Sequence, residues 1–138
     1  MERNALVLDA SIIIKWFTKE ENRDKAIAIR KAFIENEIEI AVPDLILYEI
    51  SNALKHNPLF TSENVKEAID SLLEIGIDII IPIPETIHRA IDIAFSSKIS
   101  LYDAFYIALA LDLGFDFITA DKKLYEKTKE YGNILLLK

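Results

Sequence analysis

Short runs of Ile, Val and Leu alternate along this chain with segments that repeat their apolar residues at helical spacing. Ala5-Leu-Val-Leu8 reads as a buried strand, followed by helix from Ile12 to Phe17 and again from Glu21 to Glu35. Ile38 to Val42 reads as a second strand, stopped by Pro43, and Leu45 to Lys55 as helix. A helix is expected over Ser62 to Ile75, capped by Ser62 and closed by Gly76. Ile77 to Ile81 is a third strand, Glu85 to Ser96 a helix, and Tyr102 to Leu113 a helix apolar nearly all round, hence deeply buried. Gly114 stops that helix. Phe115 to Thr119 (strand), Asp121 to Tyr131 (helix) and Ile134 to Leu137 (strand) complete the series.

The strand-like runs are continuously apolar rather than alternating, the pattern of a sheet covered on both faces. The expected fold class is therefore α/β, a three-layer α/β/α sandwich around a central, mainly parallel sheet, with residues 1–138 as one domain. In such folds ligands bind outside the carboxyl ends of the strands.

Composition narrows the chemistry. The chain has no cysteine, which removes disulfides, zinc-thiolate sites and thiol nucleophiles. Its three glycines, at 76, 114 and 132, form neither a dinucleotide nor a P-loop pattern. His56 and His88 are far apart and read as surface residues. No leader-like segment opens the chain and no run approaches the roughly 20 apolar residues of a membrane helix. A cytoplasmic protein without membrane association is expected. The net charge of −7 argues at first against nucleic acid, whose phosphates usually meet a basic surface.

What stands out is where four acids fall. Asp9 ends the first strand, and Asp121 follows the fourth at the equivalent point. Either could instead cap the helix that follows. Glu49 shares its helix face with Leu45, Ile46, Asn52 and Ala53, so it points along an apolar stripe. An ionised carboxylate there requires a salt bridge or a cation. Asp103 opens the most apolar helix; Ser100 and Asp103 match a capping box, yet the helix behind puts this acid at the floor of a cleft. Four negative charges in one water-poor pocket raise each other's pKa values or bind cations. Oxygen-only ligation favours magnesium or manganese.

Four segments in order carry a family resemblance: Leu6 through Asp9 to Ser11, Pro43 through Glu49 to Leu54, Leu101-Tyr-Asp103 to Ala110, and Ile118-Thr-Ala-Asp121 to Leu124. Together they resemble the PIN domain, in particular the VapC toxins of prokaryotic toxin–antitoxin pairs. The resemblance implies a magnesium- or manganese-dependent endoribonuclease leaving a 5′-phosphate and a 3′-hydroxyl. It places Asp9, Glu49, Asp103 and Asp121 as the catalytic and metal-binding quartet, with Asp9 and Asp103 as direct ligands. Ser11, Asn52 and Thr119 would orient them. It also implies an RNA substrate, a small antitoxin protein and a homodimer.

On this reading bound Mg²⁺, or Mn²⁺, screens the acidic pocket and attracts phosphate despite the overall charge. Glu49 or Asp121 would orient a water or take its proton. Lys15, Lys55, Lys122 and Lys123 are candidates for the RNA backbone, or simply solvated charges. Trp16 and Phe17 either line an antitoxin groove or pack in the core. The alternatives are a non-catalytic PIN-like module that binds RNA or protein, a phospho-acceptor receiver domain, and a DNA nuclease. The receiver lacks its paired acids, and the chain is short for the DNA enzyme.

Overall fold

The computed structural model describes residues 4–138. Five strands, β1 (Asn4–Leu8), β2 (Ile38–Pro43), β3 (Asp78–Ile80), β4 (Asp116–Thr119) and β5 (Ile134–Leu136), form one sheet in the order β3-β2-β1-β4-β5. Every pairing in it is parallel. Seven helices flank the sheet: α1 (Ala10–Ile14), α2 (Arg23–Ile34), α3 (Leu45–Lys55), α4 (Ser62–Glu74), α5 (Pro84–Ser97), α6 (Leu101–Leu113) and α7 (Lys122–Thr128). The three-layer expectation is met, and the sheet is parallel throughout.

β1 is buried at Val7 and Leu8 and β2 at Ile38 and Ile40 through Val42, as strands sandwiched between helices must be. α6 packs against β1, β2 and β4. Its Ala104 and Tyr106 through Ala110 are all buried, which is why its sequence shows no polar face. Gly114 adopts φ of 72° at its end, a left-handed conformation that lets the chain turn directly into β4. Thr86 and Arg89 of α5 both bond Asp112 of α6, the threonine hydroxyl donating at 2.6 Å, and tie these two helices side by side.

The boundaries differ from the sequence reading in instructive places. α4 is capped by Thr61, not Ser62: its hydroxyl accepts from the Asn64 N–H while the Asn64 side chain accepts from the Thr61 N–H. The shorter asparagine here does the work usually given to Glu or Gln. β3 keeps only three residues, because Ile77 and Ile81 lie beyond its pairing with β2. The last helix ends at Thr128 and tightens into a 3-10 turn over Lys129–Tyr131.

Candidate active site

Strand order decides where a site can form. β1 pairs with β2 on one side and β4 on the other, so the sheet reverses its winding between β1 and β4. The crevice at that switch point, beyond the carboxyl ends of the strands, is where open α/β sheets bind ligands. Asp9 stands directly after β1 and Asp121 two residues after β4. The Asp9 N–H donates to Ile118 O at 3.0 Å, continuing the β1–β4 ladder one step past β1 and fixing Asp9 at the rim.

Asp9 does not cap α1 with its side chain. Instead two hydroxyls converge on its Oδ2, Ser11 Oγ at 2.7 Å and Thr119 Oγ1 at 2.7 Å. Each hydroxyl also accepts a backbone N–H, Ser11 from Ala120 at 3.0 Å and Thr119 from Asp121 at 3.1 Å. With those lone pairs engaged, both hydroxyl protons are directed at Asp9. Ser11 and Thr119 thus both donate to the Asp9 carboxylate. Burial pushes the Asp9 pKa up; the two hydroxyls and the Ala10 N–H counter this, and the Asp121 charge adds to it.

Asp103 sits in the first turn of α6, whose N-cap Ser100 accepts the Asp103 N–H at 3.0 Å. Its carboxyl is pushed up to about 6, first by burial and then by the Asp9 charge, with Asp121 adding a smaller push. Glu49, on α3, is also raised, by burial first and then by Asp9 and Asp103, against the lowering effect of a bond from Tyr106. That bond joins Tyr106 Oη to Glu49 Oε1 at 2.5 Å. Asp121 both joins the group and caps α7, its Oδ1 accepting Leu124 N–H at 3.1 Å. Asp121 therefore caps α7 and also adds its charge to the surroundings of Asp9 and Asp103.

The four acids thus lie in one electrostatic neighbourhood, and among the described residues no lysine or arginine forms an ion pair with any of them. The salt-bridge alternative for Glu49 is not what the structure shows. As placed, no three acidic or histidine side chains among the described residues form a ready ligand cage. Magnesium does not need one: it keeps several waters and binds through one or two carboxylates plus substrate phosphate. A group of oxygen-only acids, three of them desolvated, suits such an ion; Asp103 feels the charges of Asp9 and Asp121, and Asp9 that of Asp121.

Tyr106 is the residue the sequence reading missed. It is fully buried on α6, packs its ring on Phe117 of β4 at 5.9 Å between centroids, and aims its hydroxyl at Glu49. Its signal in the sequence was a hydroxyl-bearing ring on the apolar stretch between Asp103 and Asp112. Asn52 lies one turn beyond Glu49, but its exposed side chain makes no bond to that acid. Lys15 does not face solvent as an RNA contact would. It is buried, donating to Glu21 O at 2.8 Å beside Glu20 at 3.5 Å. Lys55, Lys122 and Lys123 are exposed. Trp16 belongs to the core, its Nε1 donating to Ala26 O at 2.8 Å, whereas Phe17 lies half-buried on a shallow groove with Leu59 and Phe60.

Comparison with known proteins agrees with this geometry. The PIN domain model matches residues 6–130, a span containing all four acids. Ribonuclease VapC3 of Pyrobaculum aerophilum is 29% identical over 126 residues, covering 88% of this chain and 93% of the relative. A toxin–antitoxin complex from Klebsiella pneumoniae superposes with a TM-score of 0.73 at 16% identity, over 96% of this chain and 98% of that one. Mycobacterium tuberculosis VapC20, described as a Sarcin-Ricin loop cleaving toxin, does so with a TM-score of 0.69 at 12% identity, over 89% and 95%. Fold, strand-end acids and family model converge, and the chain belongs to the PIN domain family.

Proposed function

We propose that this chain is a divalent-metal-dependent endoribonuclease and the toxin of a toxin–antitoxin pair. The observation that carries the reading is the group of Asp9, Glu49, Asp103 and Asp121 at the switch point, three of them buried enough to have raised pKa values and, among the described residues, none ion-paired with a cationic side chain. The kinship with a ribonuclease of Pyrobaculum aerophilum supports RNA as the substrate. The likeness to a toxin–antitoxin complex supports an antitoxin partner. A homodimer is part of the same proposal.

Asp9 and Asp103 would hold Mg²⁺ or Mn²⁺, with Asp121 beside them. Such an ion supplies a more acidic water and stabilises the charge that develops on phosphate oxygens. Ser11 and Thr119 favour the ionised form of Asp9 against its burial and aim the carboxylate. Glu49, one oxygen of which accepts from Tyr106 and leaves the other free, would take a proton from the attacking water. The raised pKa of Glu49 also makes it a stronger acceptor than an ordinary glutamate. Water then adds to phosphorus as the bond to the 3′ oxygen breaks, leaving a 5′-phosphate and a 3′-hydroxyl.

The test is incubation of a mixed RNA pool with the wild type and with Asp103→Asn, each in manganese and in EDTA. Cleavage confined to wild type with manganese is expected. Undiminished cleavage by a well-folded Asp103→Asn protein, or in EDTA, would remove the reading.

A further inference from the structure

Glu49 also forms part of the wall of a pocket of about 570 Å³, lined besides by Asp44, Tyr48, Asn52, Tyr102 and Phe105. Its volume lies within the range of small-molecule sites, about 300–1,000 Å³. Two features of its lining are not explained by folding. Tyr48 and Tyr102 are 73% and 63% exposed, although each is an aromatic residue next in sequence to a site acid. Among the described residues, neither the Asp44 carboxylate nor the Asn52 carboxamide bonds to another side chain or to the backbone, so both remain available to a ligand.

We propose that this pocket receives one unpaired base of the RNA, guanine in preference to the others, beside the bond that is cut. The inference rests on the ribonuclease reading above and adds its specificity. Single-stranded RNA is read by splaying a base out, stacking it on aromatic rings and hydrogen-bonding its edge. Tyr48, Tyr102 and Phe105 supply the stacking faces. A carboxylate accepts hydrogen bonds and gives none, so Asp44 suits a base edge with adjacent N–H donors. Guanine presents an imino N–H beside an amino group there. Uracil presents one imino N–H between two carbonyl oxygens, which the carboxylate repels. The Asn52 amide can both donate and accept, and so can meet guanine's remaining acceptor. Glu49 in the wall joins this pocket to the acids, so a base held here brings its own phosphate toward them.

The test is an NMR titration of the full chain with each of the four nucleoside 5′-monophosphates, without added metal. Guanosine monophosphate is expected to shift the resonances of Tyr48, Tyr102 and Asn52, and uridine monophosphate to bind roughly tenfold more weakly. Tyr102→Leu should weaken guanosine monophosphate roughly tenfold, the usual scale of one lost stacking partner. Asp44→Leu should erase the preference. An equal response to all four nucleotides would overturn the proposal. So would shifts at these residues that follow protein concentration instead of nucleotide, which would mean that a second copy covers the pocket. Cutting patterns in a mixed RNA pool with manganese separate the two readings. Cleavage by Asp44→Leu at the wild-type positions overturns the pocket proposal and leaves the nuclease standing. Selective guanosine monophosphate binding by a protein that cuts no RNA supports the pocket and sinks the nuclease.

Discussion

Tyr106 Oη donates to Glu49 Oε1 across 57 positions of sequence, bringing α6 against α3 at the edge of the acid group. The tyrosine does two separable things. Its ring fills core against Phe117, and its hydroxyl favours the ionised form of Glu49. Tyr106→Phe keeps the first and removes the second. If Glu49 accepts the proton, the substitution raises its pKa further and moves the acid limb of the rate profile to higher pH. The expected result is a kcat lowered on the acid side of the profile that approaches wild type as pH rises, with about 1 kcal/mol of stability lost. A pH profile of kcat checks this, and an unmoved acid limb would take the proton-accepting role from Glu49.

Thr119 is fully buried and serves two acids, donating to Asp9 and accepting the Asp121 N–H. Thr119→Val preserves shape and removes the hydroxyl. The Asp9 carboxylate then loses one of its two hydroxyl donors in a buried site, at a cost of about 1–3 kcal/mol. Manganese affinity should fall by about 10–100-fold, as it does when groups that orient ligands are removed. Calorimetric titration with manganese measures it. Wild-type affinity in the folded variant would show that Asp9 needs no such support.

Asp103 gives a pH signature of its own. Its pKa rises on folding from an ordinary 3.8 to about 6, so the fold disfavours its ionised form. The folded state binds more protons between those values, and the stability loss is absent below the lower one, grows between them and is complete above the upper. In EDTA, Asp103→Asn should match wild-type stability near pH 3.5 and exceed it above pH 6. The full shift corresponds to a ceiling of about 3 kcal/mol, nearer 1 kcal/mol after screening by the solvent that reaches this partly exposed side chain. Manganese should reverse the order at neutral pH. Thermal melts of both proteins across pH measure it; a constant gap between them would contradict the electrostatic account.

Much of this architecture is legible in the sequence because each element announces its own ends. Gly76 and Gly114 close helices where expected, and the apolar runs of β1, β2 and β4 mark a sheet covered on both faces. The site residues are legible for a related reason. Asp9 and Asp121 follow strands, and a strand end in a parallel sheet is already an address. What the sequence does not display is the pairing across distance. Thr119 meets Asp9 only because β4 lies beside β1, and Tyr106 meets Glu49 only because α6 crosses the sheet at one particular height. Local patterns also leave several side-chain choices open. Both Asp9 and Asp121 have the form of a helix cap, but two hydroxyls claim Asp9, and only Asp121 caps.

Lys15 shows the same limit from the other side. As a single lysine in the sequence it reads as a solvated charge; in the fold it is buried, with its ammonium on Glu21 O. Lys15→Met should therefore lower the melting temperature, since Glu21 O loses its donor, while leaving the salt dependence of RNA binding unchanged. Lys122→Ala is the contrast: if that exposed lysine meets phosphate, the slope of log affinity against log salt falls by about one with little change in melting. Binding isotherms at several salt concentrations separate the two.

The account depends most on a divalent ion held by Asp9 and Asp103. Anomalous diffraction from crystals grown with manganese observes that ion directly. A peak within bonding distance of both carboxylates, absent from Asp9→Asn crystals, is the expected result. A protein that cleaves RNA in manganese yet shows its ion bound elsewhere, or no ion near these two side chains, would contradict the account.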